Sequence, residues 1–111
     1  MIDFETNNMH YFSMQQLKKL YEDNEVSPLE VTNYMFERID KHDSELKSFA
    51  TLMMENAIKS AKDLSGKPKN LFGPLHGIPI AVKDLCYTKG VRTMGGTEVL
   101  ENFIPTFDST V

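Results

Sequence analysis

Cysteine is almost absent from this sequence: among its 111 residues only Cys86 carries a thiol. A single cysteine excludes an intrachain disulfide framework and is typical of a reducing compartment, so we expect a cytoplasmic protein. No apolar run approaches the ~18 residues that a membrane-spanning helix needs, and residues 1–10 are too acidic and polar for a signal peptide. We therefore expect no contact with a membrane.

Positive charge is also scarce, because 12 Lys and Arg residues face 16 Asp and Glu residues and the net charge is −4. Without a Lys/Arg cluster the sequence has no basic surface of the kind that binds phosphates, so we expect no direct contact with nucleic acid. The charge is uneven: residues 1–66 have a net charge of −5 and residues 67–111 one of +1, and five of the six glycines follow residue 72. We predict two regions, amphipathic helices over 1–70 and a glycine-punctuated, strand-forming region over 71–111.

Three amphipathic helices are predicted in the first region. Ser13 and Gln16 have the spacing of a capping box at the start of one helix. Ser27 and Glu30 form another, with Pro28 at the first helical position, where no N–H is needed. We expect the apolar stripes to pack in a core, with docking into a partner's groove as the alternative. The stripes are Leu17, Leu20 and Tyr21; then Val31, Met35, Ile39, His42, Leu46 and Phe49; then Met54, Ala57, Ile58, Ala61 and Leu64, ending before Gly66 and Pro68.

The second region has a different pattern. Ile78, Ile80 and Val82 alternate, and the intervening Pro79 and Ala81 are also apolar. A strand that is apolar on both faces is typical of an interior strand covered on both sides, as in α/β proteins. The sequence therefore predicts an α/β fold in which these five residues form a buried strand.

Lys83 directly follows the predicted strand. In open α/β sheets, ligand sites gather at the C-terminal ends of the strands. If a lysine is desolvated there, its charged form is disfavoured, and the neutral amine can take a proton from a serine hydroxyl. The alternative is structural: the stem packs on the strand while the ammonium group reaches water. Composition and spacing alone favour the structural interpretation.

One run of twelve residues, GPLHGIPIAVKD over residues 73–84, closely resembles the catalytic-lysine segment of the amidase signature family. The runs GVRTMGGT (90–97) and DSTV (108–111) are similar to two further stretches of that family, a T-x-x-G-S-like loop and a D-A-T-V-like helix start. The helical region also looks like the family's. The resemblance covers most of the chain and is most specific over residues 73–111.

The resemblance implies a hydrolase of amide bonds that acts through a Ser–cis-Ser–Lys triad, within a mixed sheet covered by helices. Residues 71–111 would be the start of its catalytic core. Lys83 matches the family's lysine, which deprotonates a bridging serine; that serine activates the nucleophile, and backbone N–H groups stabilise the oxyanion. The resemblance implies a small-molecule amide substrate and no metal or organic cofactor, and it leaves assembly into a homo-oligomer open.

The sequence departs from the family in one important respect. Residues 84–111 contain no Gly/Ser-rich run of the kind that carries both serines in the family, and Ser109 is the only serine after Lys83. We therefore interpret the chain as the N-terminal part of an amidase, one incomplete domain that needs the remainder of the amidase chain. We predict that residues 1–111 alone do not turn over substrate.

Other candidate residues lie near Lys83 in the sequence. His76 supplies either a polar contact beside the site or, as the favoured interpretation, a structural hydrogen bond, and Asp84 is expected to orient the lysine region or pair locally. The glycine pair of Gly95-Gly96-Thr97 suits a loop that closely approaches another group, but the Gly-Lys-Ser/Thr continuation of a phosphate-binding loop is missing. Cys86 has no Cys/His arrangement around it, so we expect a small buried apolar residue rather than a nucleophile.

Two alternatives to a general amidase remain. One lies within the same family: the amidase component of a glutamyl-tRNA(Gln) amidotransferase, its A chain, which releases ammonia from glutamine for transfer to a mischarged tRNA, with RNA contacts supplied by other subunits. The other is a non-catalytic remnant or interaction module that presents its helices to a partner. The nucleotide sequence beyond Val111 discriminates between enzyme and remnant, because an in-frame Gly/Ser-rich stretch supports the enzyme and an immediate stop codon supports the remnant.

Overall fold

The structure is a computed structural model and describes residues 6–110. Residues 1–5 and Val111 lie outside the described part, and with them the start of the predicted helical region and the last residue of the DSTV run. In chain order the elements are a 3₁₀ helix (Thr6–Tyr11), the helices α1 (Met14–Glu22), α2 (Pro28–Leu46) and α3 (Met54–Ser65), and two 3₁₀ turns (Lys69–Leu71 and Glu98–Leu100).

The three predicted α-helices are confirmed, together with the capping box that begins α1. The hydroxyl of Ser13 accepts a hydrogen bond from the Gln16 backbone N–H (3.2 Å), and the Gln16 side chain accepts one from the Ser13 N–H (2.8 Å). α2 ends at Leu46, short of the predicted Phe49, because Lys47 adopts a left-handed backbone with φ +50° and stops the helix. None of the helices formed by residues 6–110 is long and apolar enough to cross a membrane.

The capping box that begins α2 is also confirmed. The Ser27 hydroxyl accepts from the Glu30 N–H (3.2 Å), while the Glu30 carboxylate accepts from the Ser27 N–H (2.8 Å) and the Ser27 hydroxyl (2.7 Å). These hydrogen bonds to the charged form lower the pKa of Glu30. Both helix starts are thus fixed by residues within one turn of each other.

The first compact unit, called here the helical unit, comprises Met1–Glu45 and Met53–Pro79. Its core is formed by buried apolar side chains from the first 3₁₀ helix, α1 and α2, which are Met9, Leu17, Tyr21 and Val31. Half-buried apolar residues pack against that core, namely Phe12, Val26, Tyr34, Met35, Phe72 and Ile78. The stripe of α1 and the first turns of the α2 stripe therefore meet in one core, as predicted. The later part of the predicted α2 stripe and the start of the α3 stripe do not, because His42, Leu46, Phe49 and Met54 are exposed.

The second compact unit, called here the loop unit, comprises Leu46–Leu52 and Ile80–Val111. Hydrogen bonds between loop backbones hold it: the Gly90 N–H donates to the Pro105 carbonyl (2.9 Å) and the Thr93 N–H to the Phe103 carbonyl (3.0 Å). The ring of Tyr87 lies against Phe103 and against Phe107, with centroids 5.3 and 5.4 Å apart. The predicted domains are helices over residues 1–70 and the start of a catalytic core over residues 71–111. That core would be larger than this chain, so this division stays a prediction.

The predicted α/β fold is wrong for this structure, because its described residues form only helices, turns and loops. Residues 78–82 are not a strand, and the predicted mixed sheet does not form. A strand exists only through hydrogen bonds to a neighbouring strand, and no other described segment pairs with the backbone of residues 79–82. Ile80 and Val82, expected to be buried on one face, are instead 70% and 58% exposed.

Candidate active site

Lys83 lies in the loop unit, at the point where the apolar segment 78–82 turns. Its carbonyl oxygen accepts a hydrogen bond from the Cys86 N–H (2.9 Å), which closes a tight turn. The Lys83 side chain is exposed. The described residues therefore present the amine to solvent and do not supply the desolvation that the sequence interpretation requires.

Asp84 connects Lys83 to the glycine pair. One carboxylate oxygen accepts from the Met94 N–H (2.9 Å) and the other from the Gly96 N–H (3.4 Å). The Asp84 carbonyl accepts from the Gly95 N–H between them (2.9 Å). Three consecutive amides thus point at one residue, an arrangement that we call the Asp84 clamp.

Glycine is needed in the clamp because the turn requires left-handed backbone. Gly95 and Gly96 have φ values of +61° and +75°, a region that side-chain-bearing residues rarely adopt. Thr97 then leaves the turn, and its hydroxyl accepts from the Val99 N–H (3.3 Å) at the start of the short 3₁₀ helix Glu98–Leu100. The structure therefore brings Asp84, Gly95 and Gly96 together beside the backbone of Lys83, with Thr97 next in the chain.

His76 belongs to the helical unit, not to the unit that contains Lys83. Its side chain is 8% exposed and its ring stacks on Phe72, with centroids 3.8 Å apart and planes 12° from parallel. Its Nε2 atom is buried without a hydrogen-bond partner in the part of the chain that the structure describes. The structural hydrogen bond expected for His76 is therefore not formed by this nitrogen.

The residue after His76 packs against α1 and α2. Gly77 has φ +70°, and a Cβ atom placed on it would lie 2.5 Å from Pro28 Cγ and 3.1 Å from Tyr21 Cε2. The buried Tyr21 hydroxyl donates to the Gly77 carbonyl (3.0 Å). Burial raises the pKa of Tyr21 to about 12, so the phenol stays a neutral donor at physiological pH.

Cys86 is a half-buried free thiol. Its backbone N–H closes the Lys83 turn. Among residues 6–110 no group of three or more His, Cys, Asp and Glu side chains is placed to hold a metal ion. The hydrogen bond from the Cys86 N–H to the Lys83 carbonyl makes Cys86 part of the turn that contains Lys83.

Sequence reasoning missed two sets of contacts in the loop unit. The Arg92 guanidinium donates to the Ala50 carbonyl and to the Thr51 hydroxyl (3.2 Å), which ties segment 46–52 to the later loops. The DSTV run, expected to start a helix, is not helical over residues 108–110. Instead Asp108 accepts from the Lys89 N–H (2.7 Å). The position of Arg92 within the GVRTMGGT run could have marked it, but its partners lie about 40 residues earlier.

Comparison with known proteins places the chain in a family. The amidase family model matches residues 30–111. The A chain of a glutamyl-tRNA(Gln) amidotransferase from Staphylococcus haemolyticus is 37% identical over 106 residues, which are 94% of this chain and 22% of that protein. Proteins of the same name from Fusobacterium nucleatum and Persephonella marina are 36% and 41% identical over 107 and 101 residues. These matches cover 95% and 89% of this chain, and 22% and 21% of the relatives.

The chain thus spans about a fifth of the length of the curated relatives it matches. The family match begins inside α2 and contains the Lys83 turn and the Asp84 clamp. It extends over most of the residues, which confirms the resemblance predicted from the GPLHGIPIAVKD run. The chain belongs to the amidase family.

Proposed function

We propose that this chain is the lysine-bearing segment of the amidase component of a glutamyl-tRNA(Gln) amidotransferase, which releases ammonia from glutamine. One observation carries the proposal: relatives of that name align with 89–95% of the chain at 36–41% identity. A general amidase for other carboxamides is the broader form of the same proposal. The relatives favour glutamine as the carboxamide.

Lys83 is the proposed base. Its neutral amine takes a proton from a bridging serine, which takes one from the nucleophilic serine as that hydroxyl attacks the amide carbon. Ammonia leaves with a proton, and water then hydrolyses the acyl-enzyme to the carboxylate. Both serines would come from outside the Lys83–Thr110 segment, because Ser109 is the only serine there and its hydroxyl oxygen already accepts a hydrogen bond from the Tyr87 N–H (2.6 Å).

The exposure of Lys83 adds a requirement to this proposal. The Lys83 side chain is exposed in the described residues, so a base at this position needs cover from further parts of the protein. We propose that the remainder of an amidase chain supplies that cover and the substrate pocket. Any contact with tRNA would come from other subunits, since this chain has a net charge of −4, and the free Cys86 fits a cytoplasmic setting.

A chimera tests the proposal. The matching fifth of the Persephonella marina protein is replaced by this chain, the product is assembled with the remaining subunits of that amidotransferase, and ammonia release from glutamine is measured. We expect turnover, and we expect Lys83→Ala to lower kcat about 100- to 10,000-fold, the usual contribution of a general base. Lys83→Arg should fail equally, because a guanidinium stays protonated.

Lys89→Ala is the matched control, since Lys89 is another exposed lysine of the loop unit, six residues from Lys83. It should leave kcat unchanged. Turnover by the Lys83→Ala chimera would refute the assignment of the base, and an inactive parent chimera would favour the non-catalytic alternative. Faster turnover of aliphatic or aromatic amides than of glutamine would favour a general amidase. Residues 1–111 alone should give no burst of product.

A further inference from the structure

The Asp84 clamp has the form of an anion site that is already filled. Consecutive backbone N–H groups in left-handed turns converge and make a concavity that binds anions. Here the amides of Met94, Gly95 and Gly96 converge on Asp84, and the two outer amides meet its carboxylate oxygens. Because Asp84 occupies these donors, the glycine turn has no free amide in residues 94–96 for a substrate oxyanion or a phosphate.

The Lys83 turn and the Asp84 clamp together fix the backbone on both sides of the Lys83–Asp84 peptide bond. The carbonyl of Lys83 accepts from the Cys86 N–H (2.9 Å), and the carbonyl of Asp84 accepts from the Gly95 N–H (2.9 Å). Hydrogen bonds between a carboxylate and amides are about twice as strong as neutral ones. They therefore hold a turn whose two glycines would otherwise be the most flexible residues of the segment.

The Asp84 carboxylate does not contact the Lys83 amine directly. No ion pair within 4.0 Å joins the two side chains in the described structure, and both Asp84 oxygens are engaged by amides. The action of Asp84 on Lys83 runs through the backbone.

We propose that Asp84 is a positioning residue: its carboxylate fills the amide concavity of residues 94–96 and so holds the main chain from which the Lys83 amine reaches the reacting serine. This inference rests on the proposed function, because it assigns Asp84 a role through Lys83. It goes beyond that function in naming the residue and the turn that set the position of the base.

Kinetics of the chimera described above test the positioning role. A displaced catalytic group loses about 100-fold in rate for a shift of about 1 Å, so Asp84→Ala should lower kcat about 100-fold. KM for glutamine should stay within about 2-fold, because the substrate pocket is proposed to come from the remainder of the amidase chain. Asp84→Asn should recover about 10-fold of the loss, since its amide oxygen can still accept from the Met94 N–H at the shorter distance.

Asp108→Asn is the matched control. Asp108 also accepts from a loop amide in the same unit, the Lys89 N–H at 2.7 Å, but it does not touch the 94–96 turn. Its variant should keep kcat and KM. If Asp84→Ala changed kcat by less than about 2-fold while Lys83→Ala was inactive, the inference would fall and the proposed function would stand. If Lys83→Ala kept its turnover, both would fall.

Amide hydrogen exchange of the chimera separates positioning from loss of folding. Exchange at Met94, Gly95 and Gly96 should be slow in the parent and should accelerate in Asp84→Ala, while exchange in α1 and α2 stays unchanged. Acceleration throughout the chain would mean that Asp84 merely supports the fold, and it would overturn the inference. If Asp84→Ala does not fold, Asp84→Asn gives the same comparison. A variant at Asp84 that left both the exchange of residues 94–96 and kcat unchanged would also overturn the inference.

Discussion

The helical unit and the loop unit differ in the apolar side chains that they bury, because the buried apolar core of the described residues lies in the helical unit. In the helical unit, apolar residues from the 3₁₀ helix, α1 and α2 meet, and Val31 has no exposed surface at all. In the loop unit the polar side chain of Thr93 is buried, and the loops are held by polar groups bonded to backbone, as with Asp84, Arg92 and Asp108. One unit is stabilised by burial of apolar area, the other by specific hydrogen bonds.

Both units leave large apolar residues exposed, as with Tyr11 and Leu71 in the helical unit, but the described part of the loop unit has no buried apolar cluster beside them. Several of those in the loop unit are more than half exposed, namely Ile80, Val82, Leu85, Val99, Ile104 and Phe107. Burial of a side chain of this size contributes about 1.5–3 kcal/mol, and a fully exposed one contributes none of it. We therefore expect the helical unit to unfold at higher denaturant concentration than the loop unit. Substitutions in both units measure how large that difference is.

The largest effect is expected at Gly77, in the helical unit. Gly77→Ala would place a methyl group 2.5 Å from Pro28 Cγ at a φ of +70°. Overpacking and left-handed strain together should cost about 3 kcal/mol of the free energy of unfolding. Urea unfolding followed by helical circular dichroism measures the loss.

Gly73→Ala is the control for this prediction. A Cβ atom at Gly73 would meet nothing within 4 Å, and its backbone is not left-handed. The change should stay within about 0.5 kcal/mol of the parent. Equal losses of unfolding free energy at the two glycines would show that residues 73–79 do not pack on Tyr21 and Pro28 as described.

A matched pair of valines compares the two units directly. Val31→Ala removes two methyl groups from a site with 0% exposure, which should cost about 2 kcal/mol through lost burial and the cavity left behind. Val99→Ala changes a side chain in the loop unit that is 90% exposed and should cost less than about 0.5 kcal/mol. Urea unfolding of both variants gives the comparison. A large loss at Val99 would mean that the loop unit has a core of its own.

The helices could be predicted because their start signals are local. Each capping box joins residues three apart, so Ser13 with Gln16 and Ser27 with Glu30 specify a helix start without reference to the rest of the fold. The strand could not be predicted correctly in the same way. Alternating apolar residues over 78–82 indicate a strand only where another strand offers a ladder, and none of the described residues does so.

The part of the candidate site that lies in one contiguous run of sequence could be predicted. The GPLHGIPIAVKD run identified the family and named Lys83 and Asp84. The clamp itself joins Asp84 to residues ten and twelve positions later, and the hydrogen bond from Tyr21 to Gly77 spans 56 positions. No spacing rule predicts such contacts, because they depend on the path that the loops take.

The smallest predicted effect distinguishes the two capping boxes inside the helical unit. Ser27→Ala and Ser13→Ala should each cost about 1 kcal/mol at pH 7, the usual value for a lost N-cap. They should differ in acid, because Glu30 titrates and Gln16 does not. Hydrogen bonds from Ser27 lower the pKa of folded Glu30 from its ordinary value of 4.5, so this stabilisation is present above pH 4.5 and is lost as the pH falls through the lowered pKa.

Urea unfolding at pH 7 and at about pH 3, below the ordinary carboxyl range, should show a smaller cost for Ser27→Ala in acid and an unchanged cost for Ser13→Ala. Equal costs for Ser27→Ala at both pH values would mean that the hydrogen bond from the Ser27 hydroxyl to the Glu30 carboxylate adds nothing to the start of α2.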